Sequence, residues 1–179
     1  MSGIEMYYDI VTLVAVILLN QPPALWPPIQ DNPWKTRSLH ELWAKRWHQG
    51  LRHTFLTLGG YPGQWLMGDL GMVIGAFLAS GLFHEAGLYI LGRGMDHRVT
   101  LFFLLQAFGI IVEKLFSKLT GRKAGGVIGT SWAILNVVGF GQMCTDAWFA
   151  RGIGGGVVVP PNLSPIRMIL LPAIRIAVM

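Results

Sequence analysis

Four long apolar runs constrain this chain more than anything else in it: residues 6–19, 68–91, 99–116 and 127–149. A helical span of a bilayer uses about 20 residues, so a handful of spans consumes most of the 179. Charged residues make up only 13% of the chain and hydrophobic ones 53%, against about 25% charge in a soluble domain. The expectation is one membrane domain over residues 1–179. It is all-α and polytopic, with about four transmembrane helices.

The runs differ in character. The first is short, with Asp9 near its start and Tyr7 and Tyr8 suited to the interface. No Lys or Arg precedes it, so it reads as a span and not as a leader. The second carries Gly71, Gly75, Ala76, Ala79, Ser80 and Gly81, small residues that let helices approach closely. Between them, residues 21–34 hold five prolines and cannot span. Ser38 and Glu41 then form a capping-box pattern. Leu39, Leu42, Trp43, Trp47, Leu51 and Phe55 recur at helical spacing, with Glu41, Lys45, His48 and Arg52 on another stripe. This pattern predicts an amphipathic helix lying in the interface plane. The glycine run 152–156 and the apolar tail 166–179, interrupted by Pro172 and Arg175, follow the last run.

Several chemistries are excluded. One cysteine, Cys144, permits no internal disulfide. The chain has no H-E-x-x-H zinc motif, no G-x-S-x-G elbow and no phosphate loop. The net charge of +5 lies in loops beside the spans, which fits anionic lipid or a phosphate-bearing cofactor and not nucleic acid. Ionisable groups inside spans are costly and mark functional sites by default. His84 and Glu85 are such a pair; Gln106 and Glu113 lie in the third run. A neutral histidine in a membrane cavity can take a proton from a hydroxyl, whose oxygen then attacks an activated acyl group. His48 could supply a second polar group for the carbonyl. The same two histidines could instead ligate a haem between helices, or simply hold helices together.

Longer matches narrow the choice. Residues 38–49, SLHELWAKRWHQ, resemble the signature S-L-x-[DE]-F-W-x-[RK]-R-W-[HN] of the wax-synthase-like branch of membrane-bound O-acyltransferases. Trp26-Pro27-Pro28 is similar to that family's W-P-P element, Ser80 to Glu85 to its S-G-[LF]-x-H-E motif, and Phe102 to Glu113 to the F-F-x-x-Q-x-x-G-I-x-x-E stretch that follows. The region of resemblance spans about 26–149, with Asp146-Ala147-Trp148 near its end. The resemblance implies transfer of an acyl group from acyl-CoA, as co-substrate with no bound cofactor and no metal, to the hydroxyl of a fatty alcohol, lipid or terpenoid. By motif match His84 is the catalytic base. His48 stands where sterol and diacylglycerol acyltransferases have asparagine, a second catalytic position. Glu85, Trp47, Arg46, Gln106 and Glu113 are supporting, and Lys45 and Arg52 are the expected contacts for the co-substrate. The implied setting is the endoplasmic reticulum membrane, with membrane lipid and a further copy of the chain in an oligomer as implied partners. Full members have more spans, so the chain resembles a C-terminal half. An inactive or truncated member acting as an interaction subunit is the alternative.

Lys and Arg place the loops. Lys35, Arg37, Lys45, Arg46 and Arg52 precede the second run, and Lys118, Arg122 and Lys123 follow the third; Arg93 and Arg98 lie between the two. The positive-inside rule puts the first two groups in the cytosol. Cysteine probes at Lys35 and Lys123 should therefore label from the cytosolic face and a probe at Arg93 from the lumenal one. Labelling of Lys35 and Lys123 from opposite faces would refute the arrangement.

Overall fold

The computed structural model describes residues 3–90 and 94–151, whose regular secondary structure is all helical, with no strand among them. Arg93, the glycine run and the 166–179 tail lie outside the described residues. The helices are α1 (3–18), α2 (39–46), α3 (52–66), α4 (69–90), α5 (Arg98–Thr120) and α6 (Gly126–Ala150). Four of them widen locally into π turns, at Val14–Leu18, Leu42–Arg46, Leu56–Gly60 and Leu135–Gly139. Three stretches are long and apolar enough to cross a membrane: Arg52–Ile90, Arg98–Thr120 and Gly126–Ala150. The second, third and fourth apolar runs thus fall on α4, α5 and α6. The first run does not reach that length. Its apolar helix, Tyr7–Leu18, stops where Asn20 turns left-handed (φ 50°) and Pro22 follows.

Arg52–Ile90 is not one straight rod. Met67 (φ −136°, ψ 17°) and Gly68 (φ 62°, ψ −146°) leave helical geometry, and the chain folds back. Gly59 then faces Gly75, and Gly63 faces Gly71, so closely that a β-carbon on any of them would collide with the opposite carbonyl. The positive φ at Gly68 is the turn's own demand for glycine. The small-residue stripe of the second run packs on α3, which lies outside the four expected spans.

The expected interfacial helix is also corrected. The helical spacing from Leu39 to Phe55 spans two helices, α2 and α3, separated by residues 47–51; Trp47 is already extended (ψ 160°). Nor does α2 lie flat on lipid. Leu39 is 0% exposed and Leu42 is buried, both in a cluster with Ile110 and Ala133. Trp43 packs edge-on against Phe77 (5.6 Å) and Phe102 (6.4 Å). Its apolar face meets α5 because α5 supplies what the start of α2 lacks. Ser38 Oγ accepts from the Glu41 N–H (3.0 Å) as its N-cap position requires. Glu113 of α5 accepts from the remaining first-turn donors, the N–H groups of Leu39 (2.6 Å) and His40 (2.9 Å). The Glu41 carboxylate reaches the Arg37 N–H (2.9 Å), one residue short of a full capping box, and pairs with Arg46 (2.7 Å).

Two ends of the bundle follow. At one, Thr130 Oγ1 donates to the Thr36 carbonyl (2.8 Å), which sets residues 34–37 beside the start of α6 and the Lys123 turn. At the other, Arg151 binds Asp96 (2.9 Å) and the Gly94 carbonyl (2.8 Å). Hydrogen bonds first from Arg98 and then from Arg151 hold the Asp96 carboxyl well below the usual carboxylate range. From the Lys123 end, α2 runs inward along α5 and α3 runs back, so 38–66 is a re-entrant hairpin.

Glu113 is the test of this arrangement. An unpaired buried N–H costs about 1–3 kcal/mol, and Glu113→Ala leaves two. Glu113→Gln retains one carbonyl oxygen and should lose less. Thermal unfolding in detergent should rank wild type above Glu113→Gln and Glu113→Gln above Glu113→Ala. Equal stability of all three would remove Glu113 from this role.

Candidate functional site

His84 lies on α4, part-buried, with Nδ1 2.7 Å from the Ser80 carbonyl one turn earlier. A carbonyl oxygen only accepts, so Nδ1 carries the proton and Nε2 keeps its lone pair. The ring is fixed among aromatics: Phe103 of α5 at 4.6 Å, Phe83 at 5.7 Å and Phe55 of α3 at 6.3 Å between centroids. Three helices thus hold one imidazole in a defined tautomer and orientation.

His48 sits in the turn between α2 and α3. Its ring is 5.7 Å from Trp47, and Trp47 packs on Trp43 at 5.9 Å. Burial lowers its pKa, and the proximity of His84 lowers it further. The two histidines, far apart in sequence, thus lie within electrostatic range of each other. The turn is possible because its amides are satisfied: Trp47 N–H donates to the Leu42 carbonyl (2.8 Å) and Arg52 N–H to the Gln49 carbonyl (3.1 Å). The proline-rich segment braces it, with Asp31 N–H on the Arg46 carbonyl (2.9 Å). Arg46 itself reaches back to Glu41 and to the Asp31 carbonyl (3.1 Å), so its charge is committed to holding this turn. Lys45 and Arg52, at the two edges of the turn, are exposed and open to an anionic ligand.

The other expected supporting residues are placed elsewhere. Glu85 is 0% exposed, and its Oε1 accepts from the N–H groups of Asp96 (2.5 Å) and His97 (3.1 Å). It closes the start of α5 and is not paired with His84. Gln106, 0% exposed, accepts from Trp43 Nε1 (3.3 Å) and donates to the Asn136 carbonyl (3.1 Å), which joins α2, α5 and α6. Glu113 holds α2 as described. Asn136 and the stacking role of Phe103 were not singled out by sequence reasoning. The signal for Asn136 was present, an amide in the middle of the fourth apolar run. Two open cavities, of about 400 and 390 Å3, lie at the Lys123 end and at the Asp96 end, and neither is lined by His84 or His48.

Comparison with known proteins bears on this geometry. Residues 26–105, which include α2, α3, α4 and both histidines, match the profile described as "Membrane bound O-acyl transferase family". Acetyltransferase aurG of Calcarisporium arbuscula is 27% identical over 140 residues, 73% of this chain and 34% of the relative. O-Mevalon transferase yanI of Aspergillus niger is 29% identical over 127 residues, 56% of this chain and 27% of the relative. The chain thus spans about a third or less of the length of these relatives. No solved structure matches it. Residues 26–105 of this chain are thus similar to the membrane bound O-acyl transferase family.

Proposed function

We propose that the chain supplies the two-histidine centre of an acyl-CoA-dependent O-acyltransferase acting on a lipophilic alcohol. The observation that carries the reading is the His84 tautomer. With Nδ1 donating to the Ser80 carbonyl, Nε2 is left as a base inside a span, among Phe55, Phe83 and Phe103. There it takes the proton of the acceptor hydroxyl. The acceptor oxygen bonds to the thioester carbonyl carbon, the carbon–sulfur bond breaks, and the departing thiolate receives the proton back from Nε2 as coenzyme A thiol. His48 donates to the carbonyl oxygen as negative charge develops on it. Its lowered pKa keeps it neutral at cytosolic pH, which still leaves one ring N–H as donor. The exposed cations Lys45 and Arg52 flank the His48 turn and attract the phosphates of the donor.

The name of the Calcarisporium relative makes acetyl-CoA the first donor to test. Membranes carrying the chain are incubated with labelled acetyl-CoA, and separately with a long-chain acyl-CoA, against a panel of alcohols. His84→Ala should lower transfer about 10²–10⁴-fold at unchanged abundance, since it removes a polar group from a span. Transfer by His84→Ala at the wild-type rate would exclude His84 as the base.

His48 separates from His84 in the same assay. Asparagine can donate from its amide where alanine cannot. His48→Asn should retain measurable transfer, and His48→Ala should lose about a hundredfold or more. Equal rates for the two, at matched protein levels, would return His48 to a packing role beside Trp47.

A further inference from the structure

The groove at the Lys123 end belongs to no part of the histidine centre. Its floor is rigid. Thr36 is buried, its carbonyl accepts from Thr130 Oγ1 (2.8 Å) and its own hydroxyl donates to the Ser38 carbonyl (2.8 Å). Gly129 packs against the Arg37 carbonyl with no room for a β-carbon. The groove is open, with a volume of about 400 Å3. Lys35 and Arg37 line it beside the hydroxyl residues Thr130 and Ser131, and no carboxylate does. Lys35 makes no ion pair among the described residues. The rim is apolar and bare: Trp34 is 88% exposed, and Val127 and Ile128 open α6 almost fully exposed. An indole beside cations at the end of a membrane helix is the arrangement of an interfacial belt.

We propose that this groove holds the phosphate of an anionic phospholipid headgroup, with the acyl chains running down past Val127 and Ile128. Lys35, which pairs with no carboxylate among the described residues, and Arg37, whose neighbour Glu41 is itself paired with Arg46, select the negative head, and the apolar rim selects an amphiphile over a soluble phosphate. The site is separate from the acyl-transfer reading and stands whether or not that reading holds.

The test uses the whole chain in nanodiscs of phosphatidylcholine with increasing phosphatidylglycerol, and counts retained lipid by native mass spectrometry after release into detergent. The wild type should retain phosphatidylglycerol preferentially, by about fivefold for each basic side chain engaged. Lys35→Gln/Arg37→Gln should lose the preference, and Trp34→Ala should reduce retention of both lipids. Lys118→Gln, on α5 and outside the groove, serves as the control and should change nothing. Equal retention of the two lipids by the wild type would overturn the proposal, as would an unaltered preference in the double variant. Displacement of the lipid by added coenzyme A or inorganic phosphate would also overturn it, by assigning the groove to a soluble phosphate.

Discussion

Two buried carboxylates, each closing the open start of another helix, hold this structure in register. Glu113 accepts from the first two amides of α2, and Glu85 from the two amides that lead into α5. The magnitudes explain why acids are kept there. A charged residue at the centre of a span costs about 2.5–3.5 kcal/mol on insertion scales. Two stranded amide donors cost about 1–3 kcal/mol each. One carboxylate that satisfies two of them offsets most or all of its own penalty. It also fixes the depth at which the second helix begins, which an apolar contact would leave free to slide.

That depth decides where the histidines meet. With its start at Glu113, α2 runs along α5 past Gln106, whose side chain receives the Trp43 indole N–H. The chain then breaks at Trp47, and His48 comes within electrostatic range of His84. The return helix α3 is locked to α4 by the facing glycines, and this brings Phe55 to the His84 ring. α5 contributes Phe103 to the same ring while its own start is held by Glu85 of α4. The imidazole is therefore positioned by contacts that each trace to a helix start or a close backbone approach.

Much of this was legible in the sequence. The spans over α4, α5 and α6 follow from apolar length, and Ser38 gives the start of α2. What failed was the helical period from Leu39 to Phe55. It is continuous in the sequence because both α2 and α3 turn an apolar face to a common neighbour, α4. Gln49-Gly50 was the available sign of a break, and the extended backbone at Trp47 is not encoded by any propensity that stands out locally. Glu85 was grouped with His84 because the two are adjacent. Neighbours on a helix point about a hundred degrees apart, and the acid serves α5 while the imidazole serves the site. Contacts such as Trp43–Gln106–Asn136 are tertiary and have no periodic signature.

The break also says what must surround the site. The register of Gly59 with Gly75 and Gly63 with Gly71 sets Arg52 level with Leu82, about two turns inside the end of α4. Arg52, His53 and Thr54 are exposed there. Irregular backbone and charge at this depth are tolerated only against protein or a water-filled cavity, never against lipid. The aromatic side of His84 and the polar side of the His48 turn thus face different media. The proposed reaction, between a lipophilic alcohol and a charged phosphate-bearing donor, calls for that same division.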